Sequence, residues 1–390
     1  MKPASRVQSA IELLDKVIEA ANNQGAPADR ILADWFKNHR FAGSKDRRAI
    51  RELVYAAIRA CGPVPKTGRL AVLRLAESDP AILGLFDGSD YGPAAIGPDE
   101  TAAEGGIAPN WLVERLATSG VDDEQAGALL KRASLDVRVN TLKADRTSLS
   151  LPVQTEVTAA PNGLRLPNGT AVEQFAQYRD GLIEVQDTGS QLACFAVGAK
   201  PGETVIDLCA GGGGKTLALA AAMENQGRLI ASDTDRQRLS RLAPRAQRAG
   251  VTTAETRLLD PQREMEALAD LAGQADAVLI DAPCSGTGTW RRNPEARWRL
   301  TPATLEKLVG TQTHLLDLAR GLLKPGGRLI YVVCSLLDEE GAKQFDAFLQ
   351  RHPALTAQPL ALPLGRERGK GTRLSPFEDD TDGFFIACAA

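Results

Sequence analysis

Cysteine is scarce in this chain, with six in 390 residues (Cys61, Cys194, Cys209, Cys284, Cys334 and Cys388), too few and too dispersed for a disulfide framework. Long hydrophobic runs are missing as well. No stretch of about 18 apolar residues occurs, so no helical membrane span is expected. Glu12, Asp15, Lys16 and Glu19 interrupt the first apolar stretch, so it does not read as the apolar core of a secretory leader. Reduced thiols, a cytoplasmic location and no membrane partner are the expectations that follow. An excess of positive charge is absent too: the formal charge is -3, and any nucleic-acid partner must be held by local patches. What remains is an ordinary globular composition, 43% hydrophobic and 24% charged, in a chain long enough for two or three domains.

The pattern changes twice along the chain. Val7, Ile11, Leu14 and Ile18 recur at helical spacing, Pro27 and Asp29 open a second helix, and Ser44 reads as the N-cap of a third carrying Ile50, Val54 and Ile58. A loop rich in Gly and Pro follows over 87–109, then further helix to about Arg132. Residues 1–130 are therefore expected to be all-α. Val137, Val139, Val157, Leu164 and Leu166 lie in short β-branched or alternating runs, which predicts a small α+β subdomain over 131–184. From 185 to 390, the short apolar strands TVIDLCA, RLIASD, AVLIDAP and RLIYVVC alternate with helical segments. That is the signature of an α/β domain with a mainly parallel sheet.

In this last region the strand at Thr204–Leu208 runs into Cys209-Ala210-Gly211-Gly212-Gly213-Gly214-Lys215-Thr216 and then a helix. Glycines at such a turn let backbone approach a ligand and present helix N-terminal N–H groups. Gly214-Lys215-Thr216 supplies the end of a P-loop, but the first glycine of that motif falls on Cys209. Asp233 ends the next strand, where a doubly wound fold places the acid that binds free ribose hydroxyls. Asp260 is placed to reach an adenine amino group, and Asp281 ends the fourth strand. The competing reading of these acids is that they cap the helices that follow.

Cys284 stands just after one strand, in Asp281-Ala282-Pro283-Cys284-Ser285-Gly286-Thr287-Gly288, and Cys334 at the end of the next, in Tyr331-Val332-Val333-Cys334-Ser335. Either alone could be a small buried hydrophobe. Two thiols at matching strand ends beside a nucleoside-binding loop point to methylation at pyrimidine carbon 5. That carbon becomes nucleophilic only after a soft nucleophile adds at carbon 6, and a thiolate both adds and leaves well. A second thiol can assist removal of the carbon-5 proton, and Asp281 can hold the cytosine amino group or ring N3.

DLCAGGGGK (207–215), DAPCSGTG (281–288) and VCS (333–335), with VRVNTLK (137–143), VQDTGSQ (185–191) and TDGFF (381–385), resemble the motifs of the Sun (Fmu) family of RNA cytosine-5 methyltransferases. The resemblance covers roughly residues 109–390. It implies a Rossmann-like methyltransferase domain (185–390), an RRM-like subdomain before it, and S-adenosylmethionine as cofactor, with no metal expected. It also implies Cys334 as nucleophile, Cys284 in product release, and cofactor contacts from Cys209, Ala210, Gly211, Gly212, Gly213, Gly214, Lys215, Asp233, Asp260 and Asp281. The chain departs from the family in having Gly212 and its neighbours where Ala-Pro-Gly-Gly is usual, and Val333 where Thr is common. Residues 5–60 are similar to the NusB-like domain of the family's bacterial 16S rRNA members, which implies 16S rRNA as partner; a monomer is expected.

Basic runs complete the reading. Arg291, Arg292, Arg297, Trp298 and Arg299 follow the Cys284 loop, and Arg47 and Arg48 belong to a second cluster. Arg to phosphate and Trp to a splayed base are the contacts single-stranded RNA takes, so these residues are expected on the RNA path. Other readings stay open: tRNA in place of rRNA, a P-loop NTPase, a DNA cytosine methyltransferase with Cys284 as nucleophile, and a non-catalytic RNA-binding module.

Overall fold

The computed structural model describes residues 1–390, which divide into two units. One combines Met1–Arg132 with Thr289–Pro302, and the other combines Ala133–Gly288 with Ala303–Ala390. The second segment of the first unit is the main difference from the sequence-based division, which assigns 289–302 to the α/β domain.

The first unit is all-helical: α1 (Pro3–Asn22), α2 (Ala28–Asn38), α3 (Ser44–Ala60), α4 (Gly68–Ala76), α5 (Asn110–Thr118) and α6 (Asp123–Ala128). Val7, Leu14, Leu32, Ile50, Val54, Ile58 and Val72 share its core, as the helical spacing predicts. Ser44 is the first helical residue; the N-cap position belongs to Gly43 and carries no side-chain cap. The 3-10 segment Pro294–Arg299 closes this unit by meeting exposed helix ends. Arg297 Nη2 donates to the carbonyls of Ile58 (2.6 Å) and Cys61 (2.7 Å) at the end of α3. Arg299 donates to Gly25 and Ala26 at 2.8 and 2.7 Å, and Trp298 Nε1 to Gly62 at 3.2 Å. Glu295 accepts the Ala28 N–H that opens α2, at 3.0 Å.

These contacts commit Arg297, Trp298 and Arg299 of the expected RNA path to partners within the protein. Carbonyls at helix C-termini have no partner within the helix; the Arg297 guanidinium satisfies those at the end of α3, and Arg299 ties the turn between α1 and α2. Arg291, Arg297 and Trp298 are buried, and Arg292 and Arg299 half-buried. Burial pulls the Arg297 guanidinium down to about 10, against a partial lift from Cys61. Its Nη1 and Nη2 donate to protein carbonyls, and its Nε is buried without a partner.

The second unit begins with a small antiparallel sheet of order β2-β3-β1-β4, built from β1 (Leu135–Val139), β2 (Glu156–Val157), β3 (Gly163–Leu166) and β4 (Ile183–Val185), with the short helix α7 (Ala176–Arg179) before β4. Val137, Val139, Leu164, Leu166 and Ile183 form its core.

The rest alternates strand and helix: α8 (Thr188–Val197), β5 (Thr204–Asp207), α9 (Gly214–Ala222), β6 (Arg228–Asp233), α10 (Arg236–Leu239), α11 (Leu242–Ala249), β7 (Ala254–Leu258), α12 (Glu264–Leu268), β8 (Ala275–Asp281), α13 (Pro302–Leu322), β9 (Leu323–Val333) and α14 (Ala342–Arg351). Four short strands follow: β10 (Ala357–Gln358), β11 (Arg366–Arg368), β12 (Gly371–Leu374) and β13 (Phe384–Ala389). The sheet runs β11-β12-β13-β9-β8-β5-β6-β7, parallel from β9 through β7 and antiparallel where β13 joins β9. Alternate side chains serve opposite faces. Ile206, Ile230 and Val278 pack with residues of α13 and α14, while Val205, Leu229 and Ala277 pack with residues of α8 and α9. Helices thus cover both faces, and the strand order reverses between β5 and β8, where such sheets bind ligands at their carboxyl ends.

Candidate active site

At that crevice the glycine loop follows β5. Gly211 and Gly213 have φ of 54° and 83°, and a Cβ on Gly213 would stand 2.2 Å from Leu242, so only glycine fits there. Asp233 Oδ2 accepts the Gly211 N–H at 2.7 Å, and its other oxygen accepts Asp235 N–H at 2.8 Å. Arg245 Nη1 donates to the Gly212 carbonyl at 2.5 Å. The loop that lacks the family's proline is therefore tied from outside by Asp233 and Arg245.

Carboxylates dominate the mouth of the crevice. Lys215 Nζ is 2.7 Å from Asp281 Oδ2; burial works against its charge, but Asp281 more than offsets this and Lys215 titrates above its ordinary value. Thr216 is buried and donates to Asp207 at 2.6 Å. The lysine and threonine that a P-loop would turn toward phosphate and Mg²⁺ are thus committed to aspartates, which removes the NTPase reading. Burial, with Asp281, Asp207 and Asp233 nearby, pushes the Cys209 thiol well up. Asp207 itself is fully buried with Oδ1 unpartnered, and burial raises it to about 7. Asp260 is exposed just past β7.

The two cysteines meet. In the β8–β9 register Asp281 lies opposite Val332, and the Ala282 N–H bonds to Val332 O (2.9 Å) and the Gly288 N–H to Cys334 O (3.1 Å). Beyond these strand ends Cys284 Sγ and Cys334 Sγ stand 3.3 Å apart, both half-buried. Hydrogen bonding to Cys334 and burial push the Cys284 thiol well up, and either sulfur can be the donor in the contact between them.

Beneath the sulfurs lies a polar cluster that the sequence reading misses. Ser285 and Ser335 hydroxyls are 3.1 Å apart, and Glu340 accepts from Ser285 N–H (2.8 Å), Ser285 Oγ and Gln312 Nε2 (3.0 Å). A Ser after each Cys is the visible signal for part of it; nothing in the local sequence marks Gln312 or Glu340. Among the expected RNA residues, Arg48 is exposed on α3, while Arg47 Nε donates to Ala42 O at 2.8 Å and its guanidinium lies over the Phe36 ring. No helix is long and apolar enough to cross a membrane.

Comparison with known proteins gives a concordant result. Residues 195–389 match the family described as 16S rRNA methyltransferase RsmB/F. The probable ribosomal RNA small subunit methyltransferase B of Synechocystis sp. is 34% identical over 294 residues, 72% of this chain and 66% of that protein. The ribosomal RNA small subunit methyltransferase B of Serratia proteamaculans is 32% identical over 287 residues, 72% of this chain and 65% of its own length. The matched region thus spans just under two thirds of these relatives. Among solved structures, PH0851 aligns over 100% of this chain and 99% of its own, with a TM-score of 0.78 and 26% identity. A methyltransferase homologue from Pyrococcus horikoshii covers 72% of this chain and 98% of its own, with a TM-score of 0.59 and 26% identity. The motifs, the crevice and these likenesses converge, and the chain belongs to the 16S rRNA methyltransferase RsmB/F family.

Proposed function

We propose that this chain is an S-adenosylmethionine-dependent RNA cytosine-5 methyltransferase and that its substrate is 16S rRNA. The observation that carries the reading is the 3.3 Å approach of Cys284 and Cys334 at adjacent strand ends, on the same sheet edge as the glycine loop. The donor set fits the cofactor. A ligand bearing a sulfonium and an ammonium suits an edge carrying Asp233 and Asp281 near Cys209, and a polyphosphate does not. In this reading Asp233 at the end of β6 takes the ribose hydroxyls, Asp260 past β7 the adenine, and the backbone from Cys209 to Lys215 the rest.

S-adenosylmethionine supplies an electrophilic methyl group. Everything else falls to the protein. Cys334 thiolate would form a bond to cytosine C6, moving the electron pair of the C5–C6 π bond to C5, which would take the methyl group while the former S–CH3 electron pair stays on the donor's sulfur. Asp281, one oxygen held by Lys215, offers the other to the cytosine amino group. Once Cys284 has released its own proton to solvent, its thiolate takes the C5 proton, the C5–H electron pair restores the C5–C6 double bond, and the Cys334–C6 bond breaks with its electron pair returning to sulfur. The raised titration of Cys284 makes that thiolate a strong proton acceptor. Because the base must reach Cys334, an unstacked cytosine in a loop or partly unfolded rRNA is the form that reacts.

Bisulfite sequencing of rRNA from cells with and without the gene tests the proposal. Loss of one methylcytosine from small-subunit rRNA is the expected result. An unchanged rRNA pattern beside an altered tRNA pattern overturns the substrate and spares the chemistry.

A further inference from the structure

Glu340 is fully buried, yet its three donors are all uncharged groups. Ser285 N–H and Gln312 Nε2 point at Oε1 (2.8 and 3.0 Å), and the Ser285 hydroxyl at Oε2. A carboxylate removed from water among neutral donors is costly, so its retention needs a reason. Tyr331 in β9 holds the backbone here, its hydroxyl donating to Glu340 O at 2.6 Å.

The contacts reach both cysteines through one network. On one side Glu340 grips the residue after Cys284, and Gln312, which it orients, donates to the carbonyl of Pro283 at 3.0 Å. On the other side Ser285 Oγ meets the Ser335 hydroxyl at 3.1 Å, one residue after Cys334, and Ser335 meets Thr287 Oγ at 3.1 Å. The far end is fixed by backbone donors, Leu336 N–H to Thr287 Oγ (2.9 Å) and Leu337 N–H to Ser335 Oγ (3.1 Å). One proton arrangement satisfies every hydroxyl: Thr287 donates to Ser335, Ser335 to Ser285, and Ser285 to Glu340. All dipoles then run toward the carboxylate, and such chains polarise one another.

We propose that Glu340 is the positioning residue of the cysteine pair, clamping both sulfur-bearing turns and setting which of the two sulfurs carries the proton. The inference rests on the methyl-transfer reading and deepens it. The carboxylate lies on the Cys284 side of the network, and its charge opposes ionisation of that sulfur. Cys284 therefore holds the proton and Cys334 is left as the nucleophile, which gives two chemically identical side chains separate roles.

Glu340→Gln removes the charge while keeping the shape. In a folded variant, judged by circular dichroism and melting, KM for RNA and donor stays within about twofold while kcat falls about tenfold or more. The pH profile of kcat moves to lower pH. Mass-spectrometric mapping of iodoacetamide labelling, done without RNA or donor, shows the ratio of Cys284 to Cys334 labelling rising about threefold or more. An unchanged labelling ratio together with an unmoved pH profile overturns the proposal. Because labelling requires no methyl transfer, it decides this inference even if the proposed activity proves wrong. Should Glu340→Gln fail to fold, Ser285→Ala decides: it keeps the carboxylate but cuts the link to Ser335. A fall in kcat of about threefold or more at unchanged KM upholds the clamp, and wild-type kcat ends it.

Discussion

At the scale of single residues, what distinguishes this crevice is how differently its thiols and acids are surrounded. Cys334→Ser should lower methyl transfer by about three orders of magnitude or more, because a hydroxyl is a far poorer nucleophile at neutral pH. Cys284→Ser should instead retain bond formation and accumulate a covalent protein–RNA species, resolved as a shifted band on denaturing gels. If neither variant differs from wild type in these assays, the proposed chemistry is wrong. Asp207 allows a pH test that needs no substrate. Burial raises its carboxyl from 3.8 to about 7, so the folded chain holds a proton that the unfolded chain releases. Stability from this group is complete below about pH 3.8 and is lost as pH rises to about 7. Asp207→Asn should remove that slope, narrowing the loss of unfolding free energy between pH 5 and 8 by on the order of 2 kcal/mol. Denaturant melts at the two pH values measure it; parallel curves for both proteins would show that Asp207 does not titrate in this range.

At the scale of elements, the strand ends and their turns were the most legible part. A short apolar run followed by glycine or aspartate marks β5, β6 and β8 because a strand buried on both faces admits little else, and the turn after it needs either a positive φ or a polar anchor. Gly213→Ala should test the turn: an L side chain at a φ of 83° costs about 1–2 kcal/mol, and the added carbon would meet Leu242. Donor affinity, read by calorimetry, should fall about tenfold or more, while the melting of the helical unit stays put. The segment Pro294–Arg299 was illegible for a physical reason. Arginine and tryptophan following the Cys284 turn suit RNA and suit the carbonyls of a helix end equally well, and the local sequence does not say which partner is nearer. Glu340 escaped notice for the same reason, since its partners lie as far off in the chain as Ser285. Arg297→Met should destabilise the helical unit by about 3 kcal/mol, the scale of charge-assisted hydrogen bonds lost from buried carbonyls. A variant melting with the wild type would show those bonds to be dispensable.

At the scale of the whole molecule, the helical unit is not continuous in sequence, since Thr289–Pro302 belongs to it. A fragment ending at Arg132 should therefore melt lower than the same fragment supplied with a peptide spanning residues 289–302, and peptide binding should be measurable by tryptophan fluorescence through Trp290 and Trp298. Equal melting with and without the peptide would count against the closing role of that segment. The arrangement also sets an order of events during synthesis. Domains near an N-terminus ordinarily fold first as the nascent chain emerges. Here the ends of α1 and α3 wait for partners encoded beyond residue 288, a delay of roughly ten to thirty seconds at ordinary elongation rates. During that interval the growing polypeptide exposes unsealed helix termini to chaperones and proteases, and the first unit receives its last segment only after most of the second has been made.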